Sequence, residues 1–192
     1  MFGCLEGVTR LLEGKNVRLR VMEKEDLPLY AEWANNPEFM GEYFSPFQRS
    51  RAEMEKMFES SPFEAKAFVI EKKDGSKIGF IVHFNMLAPY GNLQEIGYAL
   101  VPSERGKGYC TEAAKIMVDY LFLTKGMMRI QATTDARNVA SQTVLKKVGF
   151  KKEGTLRKPV LSRGEWRDLI MFSILREEWK EPRILTKTAS QG

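Results

Sequence analysis

The sequence has few of the residues that mark secreted or membrane proteins. Its 192 residues include two cysteines, Cys4 and Cys110, and one histidine, His83. Two cysteines do not make a disulfide framework, and no run of eighteen apolar residues occurs that could span a bilayer. Residues 1–14 lack the apolar core and cleavage site of a signal peptide. These absences favour a cytoplasmic protein, and we expect neither a bound metal nor a membrane segment.

The composition is that of one soluble globular domain. Hydrophobic residues make up 43% of the chain and charged residues 29%, with no repeat or low-complexity segment. We expect one domain over residues 15–180, with terminal extensions at 1–14 and 181–192. The formal charge of +5 favours polyanions in general, RNA, DNA or a phosphorylated cofactor alike, although a merely soluble basic surface explains it equally well.

Hydrophobic periodicity predicts the element order β-α-α-β-β-β-α-β-α-β-β. Asp26 is expected to cap the first helix, with Pro37 just beyond its end, and Ser50 with Glu53 forms a capping box for the second. Asn138 is expected to cap the last helix. The predicted strands cover residues 17–21, 67–71, 77–84, 95–101, 150–157 and 166–175 and a segment in which Met128, Ile130 and Ala132 alternate, and the long helix covers 109–124.

This order indicates an α+β fold. Its sheet is expected to be mixed and mostly antiparallel, with about seven strands and helices on both faces. It is locally parallel where a helix connects two strands.

A glycine-rich basic turn lies between the strand and the long helix, over residues 101–112. Gly106 and Gly108 let the backbone close around a phosphate, and Arg105 and Lys107 add positive charge beside the amide N–H groups of a helix start. No Walker motif is present. The alternative is an ordinary tight turn, which the flanking cations and the long helix make less favourable.

This turn and several other segments resemble those of the GNAT superfamily of N-acetyltransferases. Within that superfamily, the sequence is most similar to the ribosomal-protein-alanine acetyltransferases of the RimJ/RimL type. The resemblance covers residues 17 to 179. The segments that carry it are 96–98, 105–110, 138–141, 144–150 and 176–179.

The resemblance implies an acetyl-CoA site with two parts. Backbone N–H groups near Ala99, Leu100 and Val101 would hold the pantetheine and the thioester oxygen. The pyrophosphate would bind at the turn, and the residues implied there are Arg105, Gly106, Lys107, Gly108, Tyr109, Cys110 and Thr111. Asn138 would serve as a helix cap and also as a ligand of the cofactor arm.

The resemblance also implies catalytic roles. Many members carry a tyrosine that protonates the departing thiolate, but Leu145 stands at that position here. In the RimL-like branch a serine takes this role, which by position is Ser141; the alternative is a hydroxyl bonded back to a carbonyl one turn earlier. Glu95 is our candidate base, directly or through a water, and its alternative is a solvated strand-end carboxylate. His83 could serve instead, or be structural.

An apolar loop between the first two helices either packs on the core or lines a pocket: Phe39, Met40, Tyr43, Phe44 and Phe47. With Glu38 and Glu42, this loop is where we expect the acceptor amine to bind, because acidic residues beside apolar ones suit a cation on a carbon stem.

Cys110 is predicted to lie at the start of the long helix, where the helix dipole would lower its pKa and bound CoA would protect it from alkylation. The alternative is an inert buried cysteine that fills a glycine-sized gap.

The expected function is transfer of an acetyl group from acetyl-CoA to a primary amine, of a protein N-terminus or of a small molecule, without a metal. Two alternatives stay open: a non-catalytic acetyl-CoA sensor, and a basic module that binds the ribosome or RNA. A homodimer is possible, and no membrane or specific nucleic-acid partner is expected.

Overall fold

The computed structural model describes residues 12–44, 48–60, 65–86 and 93–180. The strands are β1 (Val17–Val21), β2 (Lys66–Lys72), β3 (Lys77–Asn85), β4 (Gln94–Leu100), β5 (Arg129–Asp135), β6 (Lys151–Ser162) and β7 (Glu165–Leu175). The helices are α1 (Leu27–Asn35), α2 (Pro37–Met40), α3 (Arg51–Glu59), α4 (Tyr109–Thr124) and α5 (Val139–Val148). The α+β fold is therefore confirmed, whereas Phe47 and most of the two expected terminal extensions lie outside the described residues.

The seven strands form one sheet with the order β1-β2-β3-β4-β5-β7-β6. Every neighbouring pair is antiparallel except β4 and β5, whose parallel pairing joins Gln94 to Ile130 and Glu95 to Gln131. Beyond these pairs β4 stays with β3 as far as Leu100, while β5 stays with β7. The two central strands therefore separate, and a gap opens in the middle of the sheet.

Helices cover both faces of the sheet, as the sequence predicts. On one face, α4 and α5 pack on a large apolar cluster that includes Phe68, Ile96, Ile130 and Phe172. On the other face, α1 and α2 pack on a smaller cluster that contains Trp33, Phe39, Val69 and Phe80. We call these the α4 face and the α1 face.

The apolar loop after α1 divides between core and surface. Phe39 is buried and stacks between Trp33 and Phe80, with ring centroids 5.2 and 5.9 Å apart. Phe44, in contrast, is exposed. Pro37 lies just beyond the end of α1, as the sequence predicts, and it also begins α2. The Asn36 side chain caps this short helix by accepting hydrogen bonds from the Glu38 and Phe39 amides.

Three local predictions have clear outcomes. The Ser50 and Glu53 capping box is present at the start of α3. Asn138 caps α5 by accepting the Ser141 N–H at 3.0 Å. Of the three residues expected to alternate, Ile130 and Ala132 are buried in β5, whereas Met128 is exposed before the strand begins and Met127 is buried.

Asp26 has a different role from the predicted helix cap. Its buried carboxylate makes no cap bond to α1; instead it accepts two hydrogen bonds of 2.8 Å from Arg20 and one of 2.7 Å from Lys77. Arg20 also donates to Glu71, which accepts a second bond from Arg18. This network attaches the turn before α1 to strands β1, β2 and β3.

We expect Asp26→Asn to destabilise the fold by about 2 kcal/mol at pH 7, because it removes the buried carboxylate charge that pairs with Arg20 and Lys77. Water compensates these two cations in part, since their side chains are 33% and 38% exposed. The hydrogen bonds from Arg20 lower the pKa of Asp26, despite its burial. A lowered pKa in the folded state stabilises the protein above the ordinary aspartate pKa of about 4, and this contribution is lost as pH falls further.

Urea denaturation at several pH values, with Glu25→Gln as an exposed control, measures this effect. The difference between wild type and Asp26→Asn is expected to be largest above about pH 5 and to shrink below about pH 4. A difference that does not change with pH would show that Asp26 acts through packing alone.

Candidate active site

Glu95 lies at the vertex of the gap, in the last parallel pair between β4 and β5. Its side chain is buried on the α1 face. One carboxylate oxygen accepts a hydrogen bond of 2.7 Å from Gln131 Nε2, and the other accepts one of 2.5 Å from Thr133 Oγ1. Glu95 is only 8% exposed, so the alternative of a solvated strand-end carboxylate is wrong. Two neutral donors hold the carboxylate in a fixed orientation.

A pair of hydroxyl groups lies on the opposite face of the same strand. Because side chains alternate along a strand, Tyr98 points to the α4 face when Glu95 points to the α1 face. The Tyr98 hydroxyl is 3.2 Å from Ser141 Oγ, in the first turn of α5. Leu145, one turn further along α5, is buried in the core. The sequence predicted a role for Ser141 and none for Tyr98, its partner in this contact.

The turn before α4 has the backbone conformation that its glycines permit. Gly106 and Gly108 have φ values of +77° and +88°, and a Cβ built on either meets no heavy atom within 4 Å. Gly108 is the N-cap, so the amide N–H groups of Tyr109, Cys110 and Thr111 follow in the first turn, where a helix cannot pair its own donors. An open, donor-lined cradle of this kind fits a pyrophosphate.

The amides of β4 alternate between two sides. The Val101 N–H donates to the Ile78 carbonyl at 2.9 Å, which places it on the β3 side and engages it in the sheet. Alternation assigns Ala99 to the same side, and Tyr98 and Leu100 to the side of the gap. Of the three amides predicted to hold the pantetheine and thioester, only that of Leu100 therefore faces the gap, and the Tyr98 amide joins it.

Arg105 and Lys107 do not extend toward the cradle as the sequence suggests. The Arg105 guanidinium donates to three backbone carbonyls, those of Leu100, Glu38 and Phe39. Lys107 Nζ pairs with Glu104 at 3.0 Å. Arg105 thus joins the end of β4 to α2, and the cradle relies on backbone amides more than on these side chains.

His83 does not reach the gap. Its ring is buried on the α4 face, near the rings of Phe68 and Tyr120, and its Nδ1 donates to Gln94 Oε1 at 2.7 Å. Burial lowers the pKa of this imidazole, although the hydrogen bond to Gln94 opposes the shift. The structure therefore does not support His83 as the base and gives it a structural position.

Residues 16–151 match the family model described as the acetyltransferase (GNAT) domain. The chain belongs to the GNAT acetyltransferase family. It is 31% identical over 172 residues to an uncharacterized N-acetyltransferase, p20, of Bacillus licheniformis, covering 86% of this chain and 96% of the relative. It is 27% identical over 168 residues to a spermidine N(1)-acetyltransferase of Escherichia coli K12, covering 85% and 88%.

The fold agrees with a solved structure of the same kind. The ribosomal-protein-S5-alanine acetyltransferase of Vibrio fischeri superimposes with a TM-score of 0.73 at 25% identity, over 88% of this chain and 98% of that one. The resemblance predicted from the sequence is confirmed, and the protein is a GNAT N-acetyltransferase with acetyl-CoA as its cosubstrate. Family membership supports the expected enzyme rather than its two alternatives.

Two negative observations apply to the described part of this GNAT enzyme. None of its helices there has the length and hydrophobicity of a membrane span. Within those same residues, no three His, Cys, Asp or Glu side chains are grouped so as to hold a metal ion.

In this GNAT fold the loop after α2, residues 41–44, lies beside the C-terminal end of β5. The Arg137 guanidinium is 5.9 Å from the centroid of the Tyr43 ring, and Arg137 also pairs with the buried Asp135. The turn between β6 and β7 contacts the same loop, because Arg163 donates a hydrogen bond to the Gly41 carbonyl at 2.9 Å. These three segments border the α1 face beside β5, the face on which Glu95 lies.

Cys110 differs from the prediction. Burial raises the pKa of its thiol to about 12, so the helix dipole does not produce the expected thiolate. The sulfur lies close enough to Tyr98 that an ionised thiol would raise the tyrosine pKa. Cys110 as a residue is nevertheless only partly buried. The structure therefore favours a thiol of low reactivity over the predicted thiolate, without the full burial of the alternative.

We expect Cys110 in the native GNAT domain to react with iodoacetamide at pH 8 at least 10-fold more slowly than in the urea-unfolded chain, because a raised pKa leaves little thiolate. Peptide mass analysis after timed quenching measures the rate, and the unfolded chain supplies the reference. Equal rates in the two states would contradict the burial of this thiol.

Proposed function

We propose that this enzyme transfers the acetyl group of acetyl-CoA to a primary amine, of a protein N-terminus or a small molecule, by direct attack and without a covalent enzyme intermediate. The observation that carries the proposal is the gap between β4 and β5, with a fixed carboxylate on one face and a hydroxyl pair on the other. Direct attack requires removal of a proton from the amine and delivery of a proton to the departing thiolate.

Glu95 is proposed as the base. Gln131 and Thr133 each donate one hydrogen bond to its carboxylate, and each oxygen keeps a second lone pair that can accept a proton from the amine, directly or through a water. Its position at the vertex of the gap supports this role, because the vertex is where the two strands begin to separate.

Ser141 is proposed as the acid. Its hydroxyl lies on the α4 face and contacts Tyr98, in the first turn of a helix that Asn138 caps. The alternative of a bond back to a carbonyl one turn earlier has no support here, since the contact observed for Ser141 Oγ is with a residue of another element.

The cofactor site is proposed to combine the cradle with the gap. The amides of Gly106 to Thr111 would bind the pyrophosphate, and the Leu100 and Tyr98 amides would hold the pantetheine and polarise the thioester carbonyl. Acetyl-CoA supplies the activated acetyl group. The chain itself supplies the fixed donors, the base and the acid.

The acceptor is proposed to bind on the α1 face, between the loop of residues 41–44, the end of β5 and the β6–β7 turn. Glu38 and Glu42 are exposed on or next to this loop and suit a cationic amine. Relatives act on spermidine and on a ribosomal-protein alanine, as their names state. Both kinds of amine therefore belong in the test.

The test is release of the CoA thiol from acetyl-CoA in the presence of peptides beginning with alanine or serine, polyamines, aminoglycosides and amino acids. The product is confirmed by mass spectrometry, and acetyl-CoA without an amine gives the rate of hydrolysis. We expect at least one amine to raise the rate well above hydrolysis. Acetyl-CoA binding without transfer to any member of the panel would contradict the proposal.

A further inference from the structure

We propose that Tyr98 is the positioning residue for Ser141: its phenol donates a hydrogen bond to Ser141 Oγ and directs the serine proton into the gap. This inference rests on the proposed function, because it concerns the acid of that reaction. Its geometric basis is the 3.2 Å contact between the two hydroxyl oxygens, which come from strand β4 and helix α5.

Thr143, a second hydroxyl residue on α5, makes a local hydrogen bond that contrasts with the contact of Ser141. Thr143 Oγ1 donates to the Val139 carbonyl at 2.8 Å, the usual local bond of a hydroxyl on a helix. Ser141 instead faces Tyr98, whose hydroxyl is also 3.4 Å from the Ser141 carbonyl. Tyr98 thus meets both oxygens of one residue, and this holds the first turn of α5 against β4.

The chemistry follows from the number of protons available. The Tyr98 hydroxyl has one proton and two acceptors in reach, the Ser141 carbonyl at 3.4 Å and Ser141 Oγ at 3.2 Å. The proposal places that proton on the nearer acceptor, Oγ. The serine proton then points away from Tyr98, and the proposal directs it to the gap. Burial raises the pKa of Tyr98, which keeps the phenol protonated and able to donate.

Leu145 gives this arrangement its significance. The position is buried and apolar, so the α5 helix carries no phenol there. Tyr98, on strand β4, places its phenol against this helix at Ser141, one turn before Leu145.

During transfer the serine O–H bond breaks as the thiol S–H bond forms, and Tyr98 donates to the serine oxygen that carries the resulting charge. A proton from solvent then restores the serine.

The first experiment is a double-mutant cycle in an acetyl-transfer assay. Tyr98→Phe keeps the ring and removes only the hydroxyl, and we expect kcat to fall by about 10-fold with KM for acetyl-CoA unchanged. In the Ser141→Ala background the same change is expected to have almost no further effect, because the two residues act as one unit. Tyr120→Phe, on α4 and outside the proposed site, is the matched control.

The second experiment does not depend on turnover. The bound CoA thiol is titrated by its thiolate absorbance, as the difference from the desulfo-CoA complex. We expect Tyr98→Phe and Ser141→Ala each to move its ionisation to higher pH by about one unit, because a donated hydrogen bond stabilises the thiolate. Tyr120→Phe is expected to leave the titration unchanged. Thermal unfolding of each variant checks the fold.

The outcomes separate this inference from the proposed function. If no amine accepts the acetyl group but both variants shift the thiol titration, the proposed function is wrong and the Tyr98–Ser141 pair is supported. If transfer occurs while Tyr98→Phe keeps the wild-type kcat and titration, the function stands and the inference is overturned. Independent, additive effects in the cycle would also overturn it.

Discussion

Replacing Gly108 with valine is expected to abolish the rise in melting temperature that acetyl-CoA gives the native chain. Gly108 has a φ of +88°, and its missing side chain would project into open space in front of the first turn of α4. A branched side chain there would block the approach of a pyrophosphate to the helix amides. Ligand at 100 times Kd adds about 2.7 kcal/mol, or about 5 to 10 °C for a chain of this size.

Gly126→Val provides the matched control for backbone strain. Gly126 also has a positive φ, of +62°, with no heavy atom within 4 Å of a built Cβ, but it lies beyond the other end of α4. A 16-residue helix separates the two glycines by about 24 Å. We expect Gly126→Val to lower the melting temperature of the unliganded protein and to keep the acetyl-CoA shift. If Gly108→Val keeps the full rise in melting temperature with acetyl-CoA, the cradle is not part of the cofactor site.

Ser141→Ala is expected to lower kcat by about 100-fold while KM for acetyl-CoA changes by less than a few-fold. A proton donor to the leaving thiolate stabilises the transition state and has little effect on the ground state. The Asn138 cap accepts the backbone N–H of residue 141, so it is retained in the variant. Steady-state kinetics with saturating amine measures the effect.

Thr143→Ala removes a hydroxyl from the same helix and is the control for Ser141→Ala. Its hydroxyl donates to a carbonyl of its own helix, and we expect near wild-type kcat. If Ser141→Ala loses only a few-fold in kcat, the residue is structural, and the acid must be another group near the gap.

Elements with local signals could be predicted from the sequence. The Ser50 and Glu53 box and the Asn138 cap involve partners within three residues, so the pattern contains the whole interaction. The same holds for the turn at Gly106 and Gly108, where a backbone conformation limited to glycine by sterics meets a helix start. The backbone conformation of this turn was therefore predictable from the sequence, whereas the partners of the Arg105 and Lys107 side chains were not.

Contacts between distant segments could not be predicted in this way. Tyr98 and Ser141 are 43 residues apart, and their contact depends on the path of β4 relative to α5. Asp26 has the residue type of a helix cap, but Arg20 and Lys77 bind its carboxylate more strongly than an exposed helix end would. For Cys110 the helix start was visible in the sequence and the depth of burial was not, and burial determines its pKa.

The three bonds of Arg105 have a consequence for how such an enzyme changes its acceptor. All three acceptors are main-chain carbonyls, at Leu100, Glu38 and Phe39, so the attachment does not depend on the side chain at the exposed position 38. In the proposed acceptor site, mutations at this position would change which amine is recognised without releasing α2 from the end of β4. Under that proposal, substrate preference can diverge over evolution while the end of β4, where the acetyl donor is proposed to bind, keeps its attachment.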